Sequence, residues 1–450
     1  MQKLQQVLPI LSWAPNYQRR NLRSDLAAGL TVGAMLVPQA MAYALLAGLP
    51  PEVGLYAATI PVLIYAFFGT SRQLAVGPVA MVSLLSAAGV GTLAETGTGE
   101  FVALAILLAL MVGGIQVAMG VFRVGFVVNF LSHPVISGFT SAAALIIGFS
   151  QLKHLLGVAI PRSHHVHEIL GKAFEQVSAI HIVTLVIGVA SVAALMLMKR
   201  YSPRFPRALA VVVVSSVAVW LLGLDAGGVG IVGEVPAGLP APSMPTFDWA
   251  AMSSLLPVAL TIALVGFMES IAVAKKYARQ NGYEVDANSE LIGLGMANVL
   301  GGFFQGYAVT GGFSRTAVNA QAGAKTPVAA IITAAVVALT LLFLTPLFYF
   351  LPKAVLAAII MTAVFGLIDI AEMRHLWHIK KTDFAMLAIT FLATLTLGIE
   401  QGIIVGVVAS IGVIVVRTTR PHVAVLGRIP GSEVYRNVER FPEAETYPGI

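Results

Sequence analysis

Long apolar runs separated by short polar punctuation set the plan of this 450-residue chain. Bounded by charges, prolines and glycines, they fall near residues 26–46, 51–69, 74–92, 101–122, 126–150, 180–198 and 208–224. A stretch without Lys or Arg, 225–250, separates these from runs near 254–274, 288–305, 313–323, 327–349, 353–370, 383–398 and 400–417. About 20 apolar residues in a helix cross a hydrocarbon layer of ~30 Å, since each adds ~1.5 Å. The pattern predicts an all-α polytopic membrane protein with fourteen transmembrane spans, seven in each half.

The basic residues orient this arrangement. With the N-terminus inside, the cytoplasmic segments hold nineteen of them: Lys3, Arg19, Arg20, Arg23, Arg72, Arg123, Lys199, Arg200, Arg204, Arg207, Lys275, Lys276, Arg279, Lys325, Arg374, Lys380, Lys381, Arg417 and Arg420. Only Lys153, Arg162, Lys172 and Lys353 fall outside. Such asymmetry is what the positive-inside rule requires, and it makes both termini cytoplasmic. The expected organisation is a cytoplasmic N-terminus over 1–25, a first membrane repeat over 26–224 and an extracellular linker over 225–250. A second repeat over 251–420 and a cytoplasmic tail over 421–450 complete it.

Composition sharpens the class. Apolar residues make up 58% and charged residues 11%, and the net charge of +6 is dispersed between apolar runs, so no nucleic-acid partner is expected. The absence of Cys removes disulfides and thiolate metal sites. The basic N-terminal segment leads into a full-length span without a small-residue cleavage site, so the first span is expected to be a retained targeting signal. Gly323-Ala324-Lys325-Thr326 is only a near miss to a phosphate-binding loop, and neither HExxH nor GxSxG occurs. An ATP-driven pump and an enzyme are therefore disfavoured, and no cofactor is expected.

Seven spans in each half force the halves into opposite orientations if they share a fold. Inverted repeats with interrupted helices at the midplane are the architecture of secondary transporters, where helix N-termini hold anionic groups. Matching interruptions occur at spans three and ten. Span three opens Leu74-Ala75-Val76-Gly77-Pro78-Val79-Ala80, with Pro78 suited to the first helical position and Gly77 to close backbone approach. Span ten opens Gly311-Gly312-Phe313-Ser314-Arg315 and is too short and polar for an ordinary crossing. Two facing half-helix N-termini would offer free amides to one anion. Arg315 would add a full charge, which at membrane depth costs about 2.5–3.5 kcal/mol on insertion scales and so marks a functional site.

Glu269 is the other membrane charge, within Leu264-Val265-Gly266-Phe267-Met268-Glu269-Ser270. An ionised carboxylate is costly in hydrocarbon, which suits it to binding and releasing a coupling proton. A fixed ion pair with Arg315 or another span, holding the core together without titrating, is the structural alternative; if Glu269 neutralises Arg315 in the empty site, protonation would free Arg315 for an anion. His164, His165, His167 and Glu168 resemble a metal cluster but fall in an outer loop, so no metal site is expected. Gly402 and Gly406 form a GxxxG that marks a helix interface within the chain or between protomers. Asp369, Glu372 and Glu400 fall at span ends, and Asp25 reads as a helix cap.

The motifs Asp25-Leu26-Ala27-Ala28-Gly29-Leu30-Thr31-Val32-Gly33, Val37-Pro38-Gln39-Ala40-Met41-Ala42-Tyr43-Ala44, Gly54-Leu55-Tyr56, Gly69-Thr70-Ser71-Arg72, Gly77-Pro78-Val79-Ala80, Met268-Glu269-Ser270 and Gly312-Phe313-Ser314-Arg315-Thr316 together resemble the SulP anion transporters, solute carrier family 26. The resemblance covers residues 10–420. It implies spans one to four and eight to eleven as a substrate-carrying core domain and the remaining six as a gate domain, with half-helices at spans three and ten. It also implies a bacterial inner-membrane homodimer, lacking the C-terminal STAS domain that such proteins usually carry after the last span.

Carried onto this chain, the resemblance names Gln39 and Tyr43 from span one, Val79 and Ala80 from span three, and Phe313, Ser314 and Arg315 from span ten as substrate-binding. Gln39 follows a mid-span proline and can donate to an anion or serve as interhelical glue; Tyr43 can offer its hydroxyl or simply pack. Sodium-using bicarbonate relatives place Asp at the Glu269 position and Thr at the Phe313 position, so this chain departs from them in the direction of protons. The implied function is secondary active transport of a small anion, namely sulfate, a C4-dicarboxylate such as fumarate, or bicarbonate. Proton symport and an elevator-like movement are expected. The alternatives are a passive anion channel and a sodium-coupled bicarbonate or anion exchanger. A nucleobase carrier of the same architecture is disfavoured because a neutral base has no use for Arg315.

Overall fold

A computed structural model describes residues 8–126, 133–160, 166–202, 205–245, 247–419 and 425–446. The predicted runs appear as helices: α1 (Leu22–Ala47), α2 (Pro51–Ala57), α3 (Ile60–Phe68), α4 (Ala80–Val90), α5 (Gly99–Val121), α6 (His133–Ser150), α7 (Ile182–Tyr201) and α8 (Arg207–Leu222) in the first half. The second half holds α9 (Trp249–Gln280), α10 (Ala287–Phe303), α11 (Phe313–Gln321), α12 (Val328–Leu339), α13 (Lys353–Val364), α14 (Lys381–Leu397) and α15 (Ile399–Thr419). Eight helical stretches among the described residues are long and apolar enough to cross a membrane, and three shorter apolar helices, among them α4 and α8, accompany them.

Several runs are not single rods. The second breaks between α2 and α3, where Pro61 cannot donate a backbone hydrogen bond and Thr59 turns its hydroxyl back onto Leu55 O at 2.7 Å. The helix after α12 widens into a π turn over Thr340–Leu344 and tightens to a 3-10 turn over Thr345–Phe348, which contains Pro346. Span eight is longer than its apolar run, because α9 carries Lys275, Lys276 and Arg279 in its final turns.

Packing divides the helices into two groups. α1, α3, α4, α5, α9, α10, α11 and α12 pack chiefly on one another, while α6, α7, α8, α13, α14 and α15 form a second set. Within the first group, α1 against α12 is answered by α9 against α5, and α3 against α12 by α10 against α5. Such exchange of partners is what a two-fold relation between inverted halves produces. The α5–α10 contact is tight because both sides are glycine: a Cβ on Gly113 would lie 2.7 Å from Gly295 O, and one on Gly295 would lie 2.8 Å from Gly113 O.

At the periphery one assignment changes and one open alternative is decided. Asp25 makes no hydrogen bond to its own helix; it is buried and accepts Lys325 N at 2.7 Å, Thr326 N at 3.1 Å and the Thr326 hydroxyl at 2.6 Å. It therefore ties α1 to the turn before α12, and is not a cap of span one. The GxxxG of α15 faces inward, since a Cβ on Gly402 would strike Thr394 and one on Gly406 would strike Val135 and Thr390. That motif serves packing within the chain. Asp369 caps the helix Ile370–Ile379 through Glu372 N at 2.8 Å, and Glu372 pairs with His133 at 3.4 Å. The side chain of Glu400 lies outside the described residues, as do Lys3, Arg162, His164, His165, Arg204 and Arg420. Among the described residues no group of three His, Cys, Asp or Glu is placed to hold a metal.

Gly113→Leu is expected to lower thermal stability, with a cost on the order of 1–3 kcal/mol from overpacking against the α10 backbone. Denaturation of the purified variant in detergent measures it.

Candidate functional site

Strands β1 (Val76–Gly77) and β2 (Thr310–Gly311) pair antiparallel, Val76 opposite Gly311 and Gly77 opposite Thr310. Each strand feeds a half-helix, α4 from the N-cap Val79 and α11 from the N-cap Gly312. The first amides of any helix have no intrahelical acceptor. Two such ends therefore start from the two sides of one short ladder.

Buried polar side chains hold this ladder in place. Asn298 of α10 acts as a strand partner, accepting Val309 N at 2.7 Å and donating to Val309 O at 3.0 Å. It also donates to Gln116 Oε1 at 3.0 Å, and Gln116 in turn donates to Ala263 O at 3.2 Å. Thr310 donates to Gly266 O at 2.6 Å; Ser270 lies 2.7 Å from the Thr310 hydroxyl and accepts Gly311 N at 2.8 Å. Just before β1, Glu290 accepts Tyr65 OH at 2.7 Å, Thr70 N at 2.6 Å, the Thr70 hydroxyl and Ser71 N at 3.1 Å. The predicted spans gave no notice of Asn298, Gln116, Glu290 or Tyr307. Their only signal was polarity inside apolar runs, without any indication of partner.

Arg315, in the first turn of α11, is 2% exposed. Its Nη1 donates to the Pro78 carbonyl, whereas Nε and Nη2 are buried with no partner. Among the described residues no carboxylate lies within ion-pair distance of it. The guanidinium lies over the ladder: a Cβ on Gly77 would be 3.4 Å from Nη2, and one on Gly312 3.0 Å from Cζ. Gly77 also has φ +147°, a conformation that favours glycine. Pro78 is not the first helical residue, because α4 begins two positions later at Ala80. Its role is instead to present a carbonyl to Arg315.

Around this charge the structure gathers most of the residues expected there. α1 packs against both half-helices. It contributes buried Gln39, whose Oε1 has no partner, and buried Tyr43, within electrostatic reach of Arg315. Gln39 makes no interhelical hydrogen bond among the described residues. Val79 and Ala80 are buried at the start of α4, while Phe313 and Ser314 are exposed at the start of α11. Tyr307 and Tyr43 both lie close enough to Arg315 to feel its charge.

Glu269 is elsewhere. It is buried on α9 in a small pocket with Val135, Ile136, Phe139 and Thr140 of α6 and Val265 and Met268 of its own helix. No ion pair joins it to Arg315, so that expected pairing is corrected. The reason is helical geometry: successive residues on a helix point ~100° apart. Ser270 faces β2, and Glu269 is turned towards α6.

An inverted-repeat membrane protein with two half-helices meeting over an antiparallel ladder is a narrow architectural class. The sequence profile of the Sulfate permease family matches residues 22–390, and the chain belongs to that family. It is 44% identical to "Sulfate transporter 4.1, chloroplastic" of Arabidopsis thaliana, covering 99% of this chain and 66% of the relative. It is 37% identical to "High affinity sulfate transporter 2" of Stylosanthes hamata, covering 99% and 70%. Among solved structures, murine SLC26A9 in the inward-facing state superposes with a TM-score of 0.88 at 30% identity, covering 98% of this chain and 76% of that one. The transmembrane domain of the cyanobacterial bicarbonate transporter BicA superposes with a TM-score of 0.76 at 26% identity, covering 88% and 99%. This chain thus spans about two thirds of the chloroplastic relative's length.

Asn298→Ala is expected to leave Val309 N–H and Gln116 without their buried partner, a loss of about 1–3 kcal/mol. Thermal unfolding of the purified variant, compared with a conservative exposed substitution, measures it.

Proposed function

We propose that the protein is a secondary active anion transporter, binding its substrate between the starts of α4 and α11 and carrying it by proton symport. The observation that carries this reading is Arg315, a buried cation with two unpartnered N–H-bearing nitrogens and no carboxylate at ion-pair distance among the described residues. A buried unpaired charge is retained where a ligand answers it. Gln39, Tyr43, Val79, Ala80, Phe313 and Ser314 are the proposed companions of Arg315, as donors or walls.

Charge balance favours a dianion. The guanidinium contributes one positive charge, and each half-helix N-terminus about half a charge, giving a site of about +2. Sulfate matches this, and it is the substrate that the printed names of the plant relatives carry. A C4-dicarboxylate would place its second carboxylate away from this focus, and bicarbonate would leave charge uncompensated.

Glu269 is the proposed proton site. It has no hydrogen-bond or ion-pair partner among the described residues, and its pocket lies between α9 and α6, helices of the two packing groups. Beside the start of α11 few oxygens are free for sodium: the Thr310 hydroxyl is engaged with Gly266, Ser270 bonds to Thr310 and Gly311, and Phe313 brings none. The first packing group is taken as a moving core and the second as a gate, which supports an elevator-like displacement. Repeat boundaries at 26–224 and 251–420, cytoplasmic termini, a bacterial inner membrane and a homodimer complete the proposal; the last two rest on the family resemblance.

Arg315→Ala is expected to weaken sulfate binding by more than about 100-fold, since it removes the charge and at least two charge-assisted hydrogen bonds. Equilibrium binding of labelled sulfate to purified protein tests it, and a variant that kept wild-type affinity would end the reading. Glu269→Gln is expected to retain sulfate binding yet lose the stimulation of proteoliposome uptake by an inward proton gradient; unchanged gradient dependence would remove Glu269 from coupling.

A further inference from the structure

Each half-helix is gripped by the opposite repeat through a hydroxyl at the same place in its first turn. In α4 the hydroxyl lies four residues after the N-cap Val79: Ser83 donates to the Val79 carbonyl at 2.8 Å. A hydroxyl has one proton, so the further 2.8 Å contact between Ser83 Oγ and the Tyr307 hydroxyl is one in which Tyr307 donates. In α11 the residue four after the N-cap Gly312 is Thr316, whose Oγ1 accepts Ala75 N at 3.0 Å. Tyr307 lies in the arm that leads to β2, and Ala75 in the arm that leads to β1. Ser83 and Thr316 are fully buried and Tyr307 is 1% exposed, so no water competes for these bonds.

The peptide unit makes these contacts matter at the anion site. It is planar and trans, so the Val79 carbonyl and the Ala80 N–H point in opposite directions. The Val79 oxygen is held along the helix by Ser83 Oγ and, at 3.0 Å, by Ser83 N. The Ala80 N–H is thereby aimed out of the helix end. Likewise Thr316 N binds Gly312 O at 2.9 Å, which aims the Phe313 N–H outward, while Gly312 N binds Ala75 O at 3.0 Å. Tyr307 also stands within electrostatic reach of Arg315.

We propose that Tyr307, acting through Ser83 on the Val79 carbonyl, is a positioning group that aims the free amide at the start of α4 at the bound anion, while Ala75 on Thr316 holds α11 in place opposite it, and so sets the anion preference of the site. This inference rests on the anion site proposed above. It assigns Tyr307 a role in selectivity and not only in packing.

The test is equilibrium binding of labelled sulfate, with chloride as competitor, to the purified full chain carrying Tyr307→Phe, Ser83→Ala, Ser83→Thr or the Tyr307→Phe/Ser83→Ala pair. Loss of one buried hydroxyl link is expected to weaken sulfate about five- to tenfold and to shift the sulfate-to-chloride ratio towards chloride. The double variant is expected to be no worse than Ser83→Ala alone, because Ser83→Ala already removes the link on which Tyr307 acts. Ser83→Thr keeps the hydroxyl and is expected to bind like the parent. Multiplied losses in the double variant would overturn the inference. So would a Tyr307→Phe protein of lowered melting temperature whose sulfate affinity and ion ratio are unchanged. Ser83→Ala reads the same link should Tyr307→Phe fail to fold. Loss of binding in Arg315→Ala with full selectivity in Tyr307→Phe and Ser83→Ala would overturn only the positioning role, whereas intact binding in Arg315→Ala would overturn the anion site itself.

Discussion

A guanidinium held without a counter-ion at the junction of two broken helices is the constraint around which the rest of this molecule is organised. Burying Arg315 in hydrocarbon surroundings is expensive, and here only Nη1 is answered, by the Pro78 carbonyl. The surrounding structure must therefore be rigid enough to keep the charge from being drawn to water or to an adventitious partner. That rigidity comes from a ladder of two residues per strand, which alone would be marginal. Asn298 of α10 and Ser270 of α9 supply what the ladder lacks by binding the backbone at Val309 and Gly311, the Thr310 hydroxyl anchors the ladder on Gly266 O of α9, and Gln116 of α5 braces Asn298. A fully satisfied polar network in a low-dielectric interior is stiff, and its failure at one member exposes the others.

The sequence was most legible where it broke its own rules. Arg315, the Gly-Gly before it and the Gly77-Pro78 pair stand out because apolar spans have no ordinary use for them, and the arrangement of odd halves gave them a common place. The basic residues marked the expected segment ends for the same reason, since charge is scarce in such a chain, although α9 runs on through Lys275, Lys276 and Arg279. Gly402 and Gly406 were read as an interface, and the structure resolves it as internal. What could not be read was direction. Pro78 was given to the helix when its carbonyl belongs to Arg315, and Asp25 was given to its own helix when its partners are Lys325 and Thr326, 300 residues away. Asn298, Tyr307 and Glu290 were invisible as a group because Gln116, Ser83 and Tyr65, which they meet, are distant in sequence, and polarity within a span names no partner.

The separation of Glu269 from Arg315 changes what coupling can mean in the proposed cycle. Direct competition, in which the carboxylate neutralises the guanidinium until a proton displaces it, requires the two to meet, and in this conformation they do not. Glu269 instead faces the apolar side of α6 across the boundary between the packing groups. An ionised carboxylate pressed against Val135, Ile136 and Phe139 would disfavour this contact by several kcal/mol, whereas a neutral one would tolerate it. In the proposed cycle a proton would then act on the relative position of the two groups rather than on the anion site.

Ser270 shows how the two functions can remain linked without contact. It is adjacent to Glu269 in α9, so any rotation or shift of the helix that relieves the carboxylate also moves the hydroxyl that holds Gly311 N. The ladder, the α11 N-terminus and Arg315 follow from that hydroxyl within a few bonds. In the proposed cycle a single helix, α9, would thus present the proton site to the second packing group on one face and support the anion site on another. A ligand can bias a two-state equilibrium only through unequal affinity for its states. Proton and anion satisfy this condition separately in the proposed cycle, the proton through the α9–α6 contact and the anion through the facing amides, and α9 is the element on which both act.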